Sequence, residues 1–556
     1  MPRKPFPMYQ QSSQSTLKTN FDAPNLNRCL SVDRFVLSPD PESWGTNLFA
    51  NVPEPDDDLY TPSQDGHRET VSYRAVTNVG CLILLLICLL GLFLGYPVSL
   101  YAASKLQGTH HRPAFIPQMF GRFDLIDPDT PAEARTVPSW ADSSEQLTLV
   151  FSDEFNADGR SFYPGDDPFW EAVDLHYWAT NNLEWYSSEA VSTSNGSLVI
   201  ELSKKETHNL HYQGGISVMN KFCFTGGYIE TSAVIPGTND ILGLWPAVWA
   251  MGNLGRAGYG ASLEGMWPYT YDSCDIGTVA NQSINGQPAA AMTGGVLSYL
   301  PGQRLSRCTC LGEDHPGPVH PDGSFVGRAA PEIDIFEAQF KNSYTPQVSQ
   351  SAQWAPFNHG YIWDNTSDNL ILANPAISAL NGFTGSATQQ ATSVVTETNR
   401  AGYEDNGAQF EVYGFQYKTG FDDGYITWIS SNEIAWTLKA PGMGPDSEVE
   451  IDTRPIPPEP MYIIANLGMS WNFGFVDLDH LPFPMHMRLD YIRVYQPANA
   501  VNVGCSPVDY PTEPYINRQG YIAVHAHMEA YTNPNLTTWR GDYGQPWPKN
   551  SFLGQC

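Results

Sequence analysis

The chain has 556 residues and a formal net charge of −30, with 29 Lys/Arg set against 59 Asp/Glu. That balance excludes a nucleic-acid partner, because binding phosphate needs a basic face. The length accommodates one large β domain with long insertions and tails, or roughly two or three ordinary domains.

Residues 1–78 are rich in Ser, Pro, Asn and Asp, with PEPDDDLYTPSQDG as a sample. A segment with so little to bury is expected to stay a disordered tail. The next stretch, Val79 to Tyr96, reads VGCLILLLICLLGLFLGY and lies in an uncharged run between Arg74 and Lys105. It is long enough to span a hydrocarbon core and too far from the N-terminus for a cleaved signal peptide. A transmembrane signal anchor is therefore expected over 79–100, followed by a stem over 101–146 punctuated by Pro113, Pro117, Pro128, Pro131 and Pro138. The N-x-S/T sites Asn195, Asn281, Asn365 and Asn535 all follow the apolar run, as do Cys223, Cys274, Cys308, Cys310, Cys505 and Cys556. Glycan acceptors and an even cysteine set on one side point to an oxidising lumen there and a cytosolic N-terminus. The expected address is that of a type II membrane protein of the secretory pathway, in the endoplasmic reticulum, Golgi or plasma membrane. Pairing is not readable from spacing; Cys505–Cys556 is favoured, with Cys274 joined to Cys308 or Cys310.

From about residue 147 short strand-like runs alternate with Gly/Pro/Asn/Asp turns: SLVIEL, GYIETSAVI, QFEVYGFQY, GYITWIS, MYIIANL and MRLDYIRVY. In GYIETSAVI, Ile229, Ala233 and Ile235 share one face while Tyr228, Glu230 and Ser232 share the other. That is the period of a half-buried strand. The expectation is an all-β fold, a β-sandwich jelly roll over 147–497 with long loop insertions. Stretches 252–330 and 340–405 are the insertions, long enough to wall a cleft. Residues 498–556 read as an extension laid against the domain.

One strand carries chemistry. In EIDIFEA, Glu332 and Asp334 are two apart and share a face, whereas Glu337 falls on the wrong one. A β-bulge at Ile335–Phe336 would return it to the same side. The two Glu backbones would then lie about 13 Å apart, at about 3.3 Å per residue. Inward-leaning side chains could close that to the roughly 5–5.5 Å of a retaining glycosidase. Acids on an otherwise apolar strand are costly unless they line a wet cleft or bond one another.

This strand resembles the signature of glycoside hydrolase family 16 in its laminarinase-like, bulged form. LVFSDEFN, FTGGYIETSAVIPG, GLWPAVWAMGN and LDYIRVYQ match in the family's order. WPYTYDSCDIGT, SYLPGQRLSRCTCLGEDHPGP and EPMYIIANLGMS resemble one branch, the fungal β-1,6-glucan synthesis-associated proteins. The resemblance implies Glu332 as nucleophile, Glu337 as acid/base and Asp334 as the group orienting the nucleophile. It further implies a β-glucan partner, with a glucan synthase or wall-assembly proteins as possible associates.

Flat aromatic rings complement the C–H faces of sugars. Trp245 and Trp249, four apart on a strand, share a face, and one is expected at the cleft with the other buried. Trp354, Trp471 and His359 lie in loop-like surroundings and are read as further cleft residues. Neither a cofactor nor a metal is expected. These readings converge on a membrane-anchored retaining β-glucan hydrolase or transglycosylase of cell-wall assembly, the alternative being a non-catalytic glucan-binding scaffold.

Overall fold

The structure, a computed structural model, describes residues 73–91, 93, 124–219, 221–292, 296–341, 345–518, 523–535 and 537–556. Residues 1–110 and 111–556 form separate compact units. The first contains the helix Tyr73–Leu90, which takes in part of the apolar run. The rest of the expected anchor beyond residue 93, the tail before residue 73 and the stem up to residue 123 lie outside the described residues. Among the described residues no helix is long and apolar enough to cross a membrane.

The second unit is the expected β-sandwich. Two ten-stranded sheets face one another. The front sheet is built on β1 (Tyr212–Val218), β2 (Trp245–Gly252), β3 (Glu332–Lys341), β4 (Thr345–Trp354), β5 (Gln389–Glu397) and β6 (Met461–Gly468). Their spatial order is β5-β4-β3-β2-β6-β1, so β3, the acidic strand, sits in mid-sheet. The back sheet includes Gly227–Val234, Glu411–Lys418, Tyr425–Ser430, Glu433–Lys439 and Met485–Pro497. Alternation along each strand sends one set of side chains inward, where Ile333, Ile335, Phe336, Val348, Ile463 and Ala465 meet Ile229, Phe415, Trp428 and Trp436. Trp428 and Trp436 stack at 4.1 Å in that layer.

The strand 227–234 is not half-buried. Its second face is covered by Ile126, Val137 and Trp140, and the Trp140 ring meets Tyr228 edge-on at 6.2 Å. Residues 124–146, assigned above to the stem, thus belong to the sandwich, and Thr136–Pro138 pairs with Gln146–Asp153. Glu230 on that face is satisfied by the hydroxyls of Tyr228 and Tyr495.

The expected extension and first insertion close over the front sheet, and the disulfides show how. Cys505 bonds Cys223, not Cys556 as favoured from sequence, because Gly504 N–H donates to the Cys223 carbonyl at 2.7 Å and brings the segments alongside. Cys556 bonds Cys310, where Cys310 N–H donates to the Lys549 carbonyl. Cys274 bonds Cys308, one of the two expected partners. Arg328, fully buried, makes a bidentate pair with Glu459 at 2.7 and 2.9 Å and donates to the Pro511 carbonyl. One guanidinium therefore ties the insertion, the approach to β6 and the extension together.

Candidate active site

Register defines the site. Against β4, β3 pairs Asp334 with Ser351 and then Glu337 with Ser349, so an extra residue is accommodated between them. Against β2 the shift falls between Asp334 and Phe336. This bulge keeps Ile335 and Phe336 in the core and returns Glu337 to the front face with Glu332 and Asp334. A bulge leaves ladder carbonyls unpaired, and here side chains take them. Trp428 Nε1–H donates to the Asp334 carbonyl at 2.8 Å, and Gln350 Nε2–H to the Ile335 carbonyl at 2.9 Å. The irregularity is thereby held from the back sheet and from the neighbouring strand.

Each carboxyl has its own donors. Trp267 Nε1–H donates to Glu332 Oε2 at 2.6 Å, and Trp245 Nε1–H to Glu337 Oε1 at 2.8 Å. Ser351 Oγ–H and Gln353 Nε2–H both donate to Asp334 Oδ2, at 2.7 and 3.0 Å. Asp334 is buried, while Glu332 and Glu337 are half-buried and open to the surface. Burial, followed by the charges of Asp334 and Glu337, pushes Glu332 well above the usual carboxylate range. Burial, against the pull of Gln353 and Ser351, raises Asp334 to about 6. Burial, with Asp334's charge added, raises Glu337 to about 8. Three like charges cannot share this space, so the group retains protons near neutral pH, one of them in a hydrogen bond between Glu332 and Asp334.

The aromatic expectations divide. Trp245 is half-buried beside Glu337, with Phe473 stacked on its ring at 4.4 Å. Trp249 shares its face and is the buried member of the pair, its Nε1–H donating to Asn466 Oδ1 at 2.8 Å. Trp471 is 51% exposed in the loop after β6, edge-on to Phe475. Trp354 is not a cleft residue. It ends β4, points into the sandwich core and donates to Thr392 Oγ1 at 2.9 Å. The alternation Ser351, Gln353 against Ala352, Trp354 was the available signal, because the polar pair faces Asp334 and Glu332 across the ladder. His359 is exposed in the loop after β4. Sequence reasoning missed Trp267, Phe473, Ser351 and Gln353. It also missed buried Glu184, raised by burial to about 7, which accepts from Asn182 Nδ2 and Met469 N–H. Asn195, Asn281, Asn365 and Asn535 are all exposed.

Comparisons add a family. A family model described as "Beta-glucan synthesis-associated protein SKN1/KRE6/Sbg1" matches residues 46–556. The beta-glucan synthesis-associated protein KRE6 of Saccharomyces cerevisiae is 44% identical over 78% of this chain and 57% of its own length. SKN1 of Candida albicans is 39% identical over 91% of this chain and 67% of its own. The chain thus spans a little over half the length of the first of these relatives. Among solved structures, the laminarinase catalytic domain of Thermotoga maritima aligns over 63% of this chain and 98% of its own at 19% identity, with a TM-score of 0.36. The endo-β-1,3-glucanase of Pyrococcus furiosus aligns over 67% of this chain and 100% of its own at 17% identity, with a TM-score of 0.37. Likenesses of that extent carry no argument about chemistry.

Proposed function

Since the chain belongs to the beta-glucan synthesis-associated SKN1/KRE6/Sbg1 family, we propose that it is a retaining β-glucan hydrolase or transglycosylase serving glucan assembly in the cell wall. The observation that carries this reading is the bulge that gathers Glu332, Asp334 and Glu337 on one face, each with its own donors.

Glu337 is the general acid. Trp245 fixes Oε1, and a carboxyl raised to about 8 still holds a proton at neutral pH to give to the leaving glycosidic oxygen. Glu332 and Asp334 keep one proton between them. In the free site that proton rests on Glu332, the more strongly raised of the two, and its transfer to Asp334 leaves Glu332 the carboxylate that bonds the anomeric carbon, its Oε2 held by Trp267. The leaving oxygen departs carrying Glu337's proton, and Glu337, now ionised, takes a proton from the incoming hydroxyl as its oxygen bonds the anomeric carbon and releases Glu332 as carboxylate. Water as the incoming group gives hydrolysis; a second glucan gives transfer.

The apolar run, the exposed sequon asparagines and three disulfides support a type II membrane topology with the sandwich in a secretory lumen. Endoglycosidase treatment should shift the mass of the fragment after residue 105 and leave the tail unchanged; glycan on the tail alone reverses the topology.

Turnover of linkage-defined β-glucan oligomers by the purified protein, analysed for hydrolysis and transfer products, tests the catalytic reading. If Glu332→Gln, Asp334→Asn and Glu337→Gln each fold, reach their compartment and support normal wall glucan, a glucan-binding scaffold takes its place.

A further inference from the structure

Glu154 and Glu459 are buried against arginines. Glu184 is 0% exposed on the short strand Glu184–Tyr186, which runs parallel to β1, and its hydrogen-bond partners are all neutral. Oε1 accepts from Asn182 Nδ2–H at 2.7 Å, Oε2 accepts from Met469 N–H at 2.8 Å, and the Tyr186 hydroxyl completes the set. The Thr180 hydroxyl donates to Asn182 Oδ1 at 2.6 Å, which turns the amide nitrogen toward Glu184. Glycine is needed at position 468, because a Cβ there would lie 2.2 Å from Glu184 Oε1. A buried carboxyl answered only by neutral groups is costly, and an apolar side chain would fill the space at lower cost. What Glu184 supplies is two acceptor oxygens set against two donors.

Those donors lead to the active site by two routes. Met469 opens the turn after β6, and the turn is closed on Ser470, whose carbonyl accepts from Phe473 and Gly474 N–H at 3.1 and 3.2 Å. Ser470 Oγ–H donates to the Thr180 carbonyl at 2.5 Å, and Leu183 N–H donates to the Met469 carbonyl at 2.9 Å. The segment 180–184 therefore clasps the start of this turn through side chain and backbone alike. From the turn, Phe473 lies flat on Trp245, with ring centroids 4.4 Å apart and planes at 4°. Trp245 Nε1–H in turn donates to Glu337 Oε1 at 2.8 Å. By the second route, the Tyr186 hydroxyl accepts from Asn466 Nδ2–H at 3.2 Å. Asn466 Oδ1 accepts from Trp249, the residue opposite Asp334 on β2.

We propose that Glu184 is a positioning residue for the acid step: through Met469 and the turn it seats Phe473 on Trp245, and so aims the indole N–H at Glu337. With Oε1 of Glu337 accepting from Trp245, its proton sits on Oε2 and faces the leaving oxygen. A loose indole would leave both the place and the direction of that proton unset. This inference rests on the glycosidase reading above and adds a residue, far from the acidic strand in sequence, on which the acid step depends.

The test compares three variants of the full-length protein in detergent: Glu184→Gln, Glu184→Gln combined with Asn182→Asp, and Phe473→Leu. Glu184→Gln keeps the volume but turns an amide donor toward Asn182 or Met469. Adding Asn182→Asp exchanges the donor and acceptor ends of the pair and restores both bonds. Phe473→Leu leaves the Glu184 cluster whole and takes the ring off Trp245. Rates are read on linear β-1,3- and β-1,6-linked glucose oligomers, whose leaving oxygen needs Glu337's proton, and on their nitrophenyl glycosides, which need little. Glu184→Gln and Phe473→Leu are each expected to lower kcat on the oligomers at least about tenfold, and on the nitrophenyl glycosides by about twofold or less. The double variant should recover most of the oligomer rate. Equal losses on both substrate types would mean a role in folding alone and overturn the inference. So would a double variant no faster than Glu184→Gln, or a Phe473→Leu protein that shows no such split. Should Glu184→Gln not fold, the other two variants decide by the same criteria. A wild-type protein that turns over neither substrate type removes the glycosidase reading as well.

Discussion

On one side of β3 the front face is floored by short polar side chains, Ser351, Gln353 and Ser393; on the other it is floored by rings and aliphatics, and both floors are buried. Both halves obey the same pleat and the same ladder, so strand geometry does not distinguish them. What distinguishes them is the chemistry of the cover: on the polar side Asn381 and Gln389 donate to Ser393 and Gln353. An insertion and a C-terminal extension found enough apolar surface on the β2 side to bury, and the carboxyls lie at the seam. The seam explains their protonation as well: burial between the two covers raises all three, while the polar flank supplies the hydroxyl and amide that hold Asp334.

The largest effect is expected at the seam itself. Glu332→Gln should lower turnover at least about a thousandfold, because the nucleophile's charge is gone. Glu337→Gln should spare substrates with good leaving groups, and Asp334→Asn should fall between. Steady-state rates on activated and natural substrates separate the three; equal losses on both substrate types for Glu337→Gln would deny it the acid role.

The cover should be the next most sensitive place. Arg328→Ala leaves Glu459 buried without its partner, at a cost of about 3–5 kcal/mol by denaturant unfolding. Smaller, and a direct comparison of the halves, is the pair Ile464→Ala and Ser393→Ala. The first opens a cavity under the cover and should cost about 2–5 kcal/mol. The second loses a hydroxyl contact to Ser349 and should stay within about 1.5 kcal/mol. Equal costs would mean that the polar contacts hold their side as strongly as apolar packing holds the other.

The mildest effect is on pH dependence. Native Glu337 keeps its proton up to about 8, whereas its ordinary value is 4.5. Between those limits the native state binds more protons than the unfolded one, so stability falls as pH rises through the window. Glu337→Gln removes that contribution and should flatten the stability profile there; a profile parallel to the parent's would show that Glu337 is not the group responsible.

Much of the site was legible because it is local. The offset of Glu337 demanded a bulge, and the bulge lies where the offset placed it. The spacing of Trp245 and Trp249 put them on one face, although what buries Trp249 comes from distant chain. Trp354 went astray because QSAQWAP was read as loop; taken as strand, its alternation points the ring inward. Cys505 could not be matched to Cys223 by spacing, since their segments meet only through pairing across 282 residues.

By itself the sequence determined the strands, their inward faces, the acidic strand and its irregularity, because each follows from side-chain period and backbone sterics within a few residues. Only the tertiary structure decided which half of the front face takes an apolar cover, which cysteines meet, and that Trp267 and Trp245 serve Glu332 and Glu337. Those outcomes depend on contacts between segments tens to hundreds of residues apart. Local periodicity carries no information about them, and burial of apolar surface selects among them only when the whole chain has closed.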